Sequence, residues 1–331
     1  MNTTVRRESG PPTAPALPRE RTTRLRRPDH GTVIALEAGG TYIRGCALGP
    51  DGVLRERERW FTRPERGPDA VLESILAYAA TLAERCRPAA AGIVLPGTLD
   101  DTSGRAVRTT ALGWHGVPVR DWFAEHLDLP VAVGHDGCAG ALAEARAGAG
   151  RDSRSFLFVS VGDGISASLV LDGRAASGAR GARDLGHCVV RPGGDLCHCG
   201  SRGCLETVAS ATAVARRYSR ATGWRGISAR EVYHRADAGD LAALAACEAA
   251  MDALADVLAT AVARYAPQRV VIGGELAEVG QDRLLPLREV LVGRLVFDGV
   301  PEFRLARFGE SVGCMGAALL ARDLHDARTA R

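Results

Sequence analysis

VIALEAGGTYIRGCALGPDG, Val33 to Gly52, decides how the rest of the chain is read. An apolar run meets a double glycine, a second apolar run follows, and Gly-Pro-Asp-Gly turns the chain again. This is the signature of a strand, a tight turn at Gly39 and Gly40, and a returning strand. The arrangement recurs in SFLFVSVGDGISASLVLDG, Ser155 to Gly173, with Gly162-Asp163-Gly164 at the bend. Two such hairpins, about one domain apart and each opening a half of the chain, predict duplicated α/β halves with a cleft between them. A cleft of that kind is the default seat of a small ligand.

Outward from the hairpins, Ala70 to Arg87 reads as an alanine-rich amphipathic helix, followed by the apolar strand AGIVLPG ending at Pro96-Gly97. VAVGHDG is a short strand ending at His135-Asp136, and Gly137 to Ala147 reads as the helix behind it. A long helical region is predicted from about Ala209 to Arg264. RVVIGGE, Arg269 to Glu275, is a buried strand running into Gly273-Gly274, and SVGCMGAALLARDL, Ser311 to Leu324, is a closing helix. Residues 1–31 hold five prolines and seven arginines with almost no periodic apolar pattern, so a disordered basic tail is expected there, too short for a winged-helix DNA-binding domain.

With 331 residues and 46% hydrophobic content the chain can bury a large core, and a formal charge of +3 calls for neither a nucleic acid nor a membrane as partner. No apolar run has the length of a membrane span, and MNTTVRRESG has no apolar segment behind its arginines. Together with nine cysteines, this points to the reducing cytoplasm. All 42 basic residues are arginine. The absence of lysine excludes a P-loop NTPase, a protein kinase and Schiff-base chemistry. Any phosphate must be held by backbone N–H groups, hydroxyls, arginine or a metal ion.

GHCVVRPGGDLCHCGSRGCLE, Gly186 to Glu206, brings His187, Cys197, Cys199 and Cys204 into metal-ligand spacing. Three thiolates and one imidazole close a tetrahedral zinc site with no open position, so the metal is structural rather than hydrolytic. Cys188 is expected to point away from it, and His198 to face solvent. Asp184 and Glu206 bracket the loop and suit a ligand rich in hydroxyls. On the first hairpin, Gly39 and Gly40 let the backbone approach a polyphosphate, Thr41 offers a hydroxyl, and Glu37 can hold a hydrated magnesium ion. Gly162, Asp163 and Gly164 repeat the arrangement, and the facing turns can clamp the phosphates of a nucleotide. Gly273-Gly274 lets a base or ribose lie against the backbone. Asp136, at the end of a strand, is the candidate general base for phosphoryl transfer to a hydroxyl. Capping of the following helix is the competing role for that carboxylate.

Taken in order, EAGGT, VLPG, HDG, GDG, GH with CxCGxxGCLE, and IGGE resemble the ROK family of bacterial sugar kinases and sugar-responsive repressors, over about residues 32 to 325. The resemblance implies an actin-like, hexokinase-type fold of two α/β domains: residues 32–137 with a returning helix at about 311–325, and residues 138–310 with the zinc loop 187–204. It implies ATP and magnesium in the cleft, a structural zinc beside the sugar, and a homodimer or homotetramer. It places Asp136 as catalytic base, and Gly97, His135, Asp184, His187 and Glu206 with Asp136 around the sugar. Glu37, Gly39, Gly40, Thr41, Gly162, Asp163, Gly164, Gly273 and Gly274 then border the nucleotide and its magnesium.

The chain departs from the family pattern in the ligand-facing set. The family usually has Asp at Glu37, Asn at Ala111 and at His135, Thr at Asp163 and Glu at Asp184. Sites built on hydroxyl pairing discriminate strongly, so these changes point to altered specificity. Amino sugars such as kanosamine, or C7 cyclitols, are the modified substrates that resemblance suggests. Two readings follow: a kinase acting on the primary hydroxyl of a hexose or hexose-like ring, and a sugar-binding regulator without catalysis. Asp163 beside the phosphates favours the second, because it repels ATP unless a cation intervenes.

Overall fold

The computed structural model describes residues 31–176, 184–280, 284–295 and 299–330, so all but the last residue of the expected tail lies outside the described residues. The predicted hairpin forms as β1 (Val33–Ala38) and β2 (Tyr42–Leu48), extended by β3 (Leu54–Phe61). Helix α1 (Pro68–Cys86) leads to β4 (Ala90–Leu95), then a small sheet of β5 (Thr98–Asp100), β6 (Arg105–Thr109) and β7 (Trp114–Val117). Helix α2 (Val119–Leu127), β8 (Val131–His135) and α3 (Asp136–Ala147) complete the first half.

The second half opens with β9 (Ser155–Val161), β10 (Ile165–Leu171) and β11 (Arg174–Ala175). After the cysteine loop come α4 (Glu206–Ala209), α5 (Ala211–Thr222), α6 (Ala229–Asp237) and α7 (Leu241–Tyr265). Then follow β12 (Arg269–Gly273), α8 (Glu275–Glu278), α9 (Leu284–Val292), β13 (Glu302–Leu305) and α10 (Val312–Thr329). The region read as one long helical stretch is thus several helices, interrupted where Gly223, Gly226 and Gly239 adopt positive φ.

The two large sheets have the same topology. The first runs β3-β2-β1-β4-β8 and the second β11-β10-β9-β12-β13, each with an antiparallel hairpin beside parallel strands. Strand β1 is apolar almost throughout because both its faces are covered. Ile34, Leu36 and Ala38 pack toward α1 with Ile75, Tyr78 and Leu82. The alternate residues Val33 and Ala35 pack toward α10 with Cys314, Ala317 and Ala321. In the other half, Phe156 and Phe158 of β9 join this same cluster, while Leu157, Val159 and Val161 face α7. Helices α3 and α10 therefore form a shared middle layer between the sheets. Small residues allow the close approach: a Cβ at Gly92 would collide with the Ala317 carbonyl, and one at Gly316 with that of Ala139. Both helices begin at the same opening between the halves.

Candidate active site

That opening is a cavity of about 460 Å³, and both hairpin turns, the start of α3, the cysteine loop and the segment before α10 line it. At one side, the Gly39 N–H donates to the Tyr42 carbonyl (2.9 Å), and the Thr62 hydroxyl donates to the Gly39 carbonyl (2.7 Å), fixing the first turn. At the facing turn the Gly162 N–H donates to the Gly164 carbonyl (2.9 Å), and Thr212 Oγ1 donates to Asp163 Oδ1 (3.3 Å). Gly39, Gly40, Gly162, Asp163, Gly164 and Gly274 all face the cavity. Thr41 and Gly273 do not line it. Thr41 is exposed at the turn, and Gly273 is buried on β12, where an added Cβ would press on Phe158.

Glu37, next to last in β1, lines the cavity. Its carboxyl packs against α10 so closely that a Cβ at Gly313 would collide with it, and its Oε2 is buried without a hydrogen-bond partner. Burial pushes its pKa up to about 7; nearby Arg44 opposes the rise, while Asp136 and Glu310 add to it. An orphaned carboxylate oxygen at a polyphosphate-sized cleft fits a hydrated divalent cation. Glu275 is likewise raised, by burial first and by the charge of Asp163 second.

Asp136 occupies the first position of α3. Gly137 N–H donates both to Asp136 Oδ1 (2.6 Å) and to His135 Nδ1 (3.1 Å), and His135 Nδ1 lies 3.2 Å from Asp136 Oδ1. The cap position falls on His135, and Asp136 Oδ1 shares the Gly137 N–H with it, while the Asp136 side chain stays 26% exposed and lines the cavity. Pro96 and Gly97 line the cavity alongside it. Gly97 holds φ +95°, and a Cβ there would strike the Arg108 carbonyl.

The cysteine loop folds back on itself through bridges between Val189 and Cys204 and between Leu196 and Arg202. Gly203, at φ +73°, passes so close to the Arg191 carbonyl that no side chain fits. This brings His187, Cys197, Cys199 and Cys204 together with their donor atoms within 4.8 Å of one another. Cys197 Sγ lies 3.5 Å from His187 Nδ1, and Cys199 Sγ lies 3.7 Å from Cys204 Sγ. Tetrahedral zinc bonds of about 2.0–2.3 Å require donor separations of roughly 3.5–3.8 Å, so these residues fit the ion. Cys188 is exposed.

His198 is exposed, as expected, but it also takes part in the cleft. Its ring stands edge-on to His187 at 5.1 Å and places Nδ1 2.8 Å from Glu206 Oε1. The Ile165 N–H donates to the other Glu206 oxygen (2.9 Å). Burial opposes the charge of Glu206, yet His198 and the Ile165 N–H prevail and hold it below the usual carboxylate range. The same contact raises His198. Glu206 is thus an ionised anchor at the cavity wall. Asp184 begins a turn ending at His187, and its side chain lies outside the described residues.

Sequence reasoning overlooked Arg44, Arg108, Glu275 and Glu310, all of which face the cavity. Two of them had a visible signal: Glu275 ends the IGGE motif, and Arg44 follows from strand register. In a hairpin bent at Gly39-Gly40, the register sets it opposite Glu37 and on the same face.

Comparison with known proteins agrees with this architecture. The ROK family profile matches residues 33–324. The chain is 31% identical over 309 residues to the glucokinase of Thermotoga maritima, covering 88% of this chain and 97% of that protein. It is 30% identical over 298 residues to the N-acetylmannosamine kinase of Citrobacter koseri, covering 88% and 99%. Among solved structures, a ROK family glucokinase from Streptomyces griseus in complex with glucose and AMPPNP superposes with a TM-score of 0.81 at 27% identity, covering 88% of this chain and all of that one. The chain belongs to the ROK family, and its fold is the actin-like, hexokinase-type α/β fold of the family's sugar kinases.

Proposed function

We infer that the chain works as an ATP-dependent carbohydrate kinase, a ROK-family enzyme of the glucokinase or N-acetylmannosamine kinase kind, and we propose that it phosphorylates a primary hydroxyl of a hexose or modified hexose. The observation that carries the reading is the placement of Asp136: a partly exposed carboxylate at the start of α3, between the two glycine turns and the His187–Glu206 wall of one cavity. In this reading the triphosphate lies along Gly39, Gly40, Gly162 and Gly164, with Gly274 beside the nucleoside. The sugar lies against Gly97, His135, His187 and Glu206.

Asp136 accepts the proton of the sugar hydroxyl as its oxygen attacks the γ-phosphorus. The bond from that phosphorus to the bridging oxygen breaks, and ADP leaves with the electron pair. Magnesium, when bound, supplies charge neutralisation for the phosphates, and Glu37 with Asp163 are the residues that would hold it. His187, Cys197, Cys199 and Cys204 would hold zinc, which fixes the loop carrying the sugar wall. His198 and the Ile165 N–H hold Glu206 ionised, and each of its oxygens keeps a further lone pair, so the wall is acidic and suits an amine on the ring. That supports a modified hexose such as an amino sugar, with a C7 cyclitol as the alternative.

The non-catalytic sensor reading draws on one observation: Asp163, Glu275 and Glu310 all face the cavity that would take ATP. ADP release should be measured from ATP and magnesium with glucose, N-acetylmannosamine, glucosamine, kanosamine and a C7 cyclitol. Turnover on one sugar, lost in Asp136→Asn, establishes the kinase. No turnover on any member, with calorimetric sugar binding retained, establishes the sensor.

A further inference from the structure

A second cavity of about 340 Å³ lies beside the first and shares Arg44 and Glu310 with it. Its wall is one face of the β2–β3 edge. Arg44 is directly opposite Arg59 in the register, and both line the cavity with Arg57, two positions further along β3. Like charges directly opposite on adjacent strands destabilise a sheet, and this face carries three of them. Arg44 is partly compensated, by Glu37 opposite it on β1, by an ion pair with Glu310 and by the Tyr42 ring at 5.7 Å, whereas among the described residues Arg57 and Arg59 have no such carboxylate. Glu58, which also lines the cavity, hydrogen-bonds to Arg85 of α1 at 2.8 Å. Glu310 stands 3.8 Å from Arg44, beyond hydrogen-bond range, and Arg44 Nε is buried with no hydrogen-bond partner. Arg59 lies over the Tyr42 ring at 4.8 Å, a contact that leaves its N–H edge available. Among the described residues no carboxylate comes within 4.0 Å of Arg57 or Arg59. Ser311 and Cys314, at the start of α10, close the far side and present the positive end of that helix.

We propose that this arginine pocket binds a phosphoryl group, separate from any triphosphate in the main cleft. Planar guanidinium forks match phosphate oxygens, and a dianion would relieve the repulsion among the three arginines. Because Arg44 borders both cavities, an anion here draws its charge away from Glu37 and couples the pocket to the cleft. The inference stands on the β2–β3 geometry and does not depend on the kinase reading.

The test is calorimetric titration of the full-length protein with inorganic phosphate, with and without saturating AMPPNP and magnesium. Saturable binding that survives AMPPNP and weakens about tenfold in Arg57→Gln/Arg59→Gln is expected, since two charge-assisted contacts are removed. Absence of saturable binding, equal affinity in the double variant, or displacement of phosphate by AMPPNP would each overturn the proposal. Circular dichroism checks the fold of the double variant; if it fails, Arg57→Gln alone carries the test, because Arg57 is exposed and makes no ion pair among the described residues. A parallel titration with a hexose 6-phosphate separates the sources. Tighter binding than inorganic phosphate assigns the pocket to a sugar phosphate, and equal binding assigns it to the free ion.

Discussion

Replacing Glu37 by glutamine should stabilise the metal-free protein, and the gain should depend on pH. The folded carboxyl has a pKa of about 7 against an ordinary 4.5, chiefly because burial disfavours its charge. Below pH 4.5 the group is protonated in both folded and unfolded chains and costs nothing. Between 4.5 and 7 the unfolded chain releases its proton first, so stability falls as pH rises. Above 7 the full penalty stands, about 3 kcal/mol at about 1.4 kcal/mol per pH unit. Glutamine removes the titration, so Glu37→Gln should gain up to that amount at pH 8.5 and only about a quarter of it at pH 5. For a chain of this size the gain corresponds to about 5 °C in the melting midpoint. Thermal unfolding of both proteins without divalent ions, at half-unit steps from pH 5 to 8.5, is the assay. A gain that is the same at every pH would refute the reasoning. Magnesium offers a second readout: it should raise the midpoint of the wild type most at high pH and leave the variant little changed.

Three further outcomes follow from the site. Asp136→Asn should lower turnover by about 10²- to 10⁴-fold while sugar affinity measured by calorimetry changes little; a turnover within tenfold of wild type would remove Asp136 as base. Gly313→Ala forces a methyl group into the Glu37 carboxyl and should cost about 1–3 kcal/mol in urea unfolding, and Glu37→Asp, one methylene shorter, should recover most of it. Metal analysis should find about one zinc per chain, and a chelator or Cys199→Ser should remove it and abolish sugar binding; unchanged sugar affinity in Cys199→Ser would separate the loop from the ligand site.

What the sequence disclosed and what it hid have physical causes. Strands β1, β9 and β12 are covered on both faces, so their apolar runs are unbroken and easily read. Strand β3 is an edge strand whose LRERERWF pattern has no apolar face; its Trp60 instead stacks on Tyr78 of α1 at 4.6 Å. The small β5-β6-β7 sheet is equally polar, with only Ala106, Thr109 and Trp114 buried among its residues. Local spacing brought the four metal-type donors of the cysteine loop into view, because the whole site spans residues 187–204. The Glu206–His198 contact was not legible, since spacing alone does not say which way a ring between two cysteines turns. Arg108 and Glu310 reach the cavity from elements that carry no motif, and Glu275, although it ends the IGGE motif, gives no local sign that it faces the cleft; only the assembled fold brings them there.

Helix α10 is the last described element of the chain, yet it packs against β1, the first. Val33 and Ala35 find their apolar neighbours in Cys314, Ala317 and Ala321, nearly three hundred residues later. During synthesis the face of β1 that carries Val33 and Ala35 therefore lacks these partners until α10 has been made. Each sheet has one face covered from its own segment, by α1 in the first and α7 in the second, while the faces turned toward each other both wait for the shared layer that α10 completes. A stop codon before Val312 would remove about five turns of helix, and with them half of the layer that both halves share.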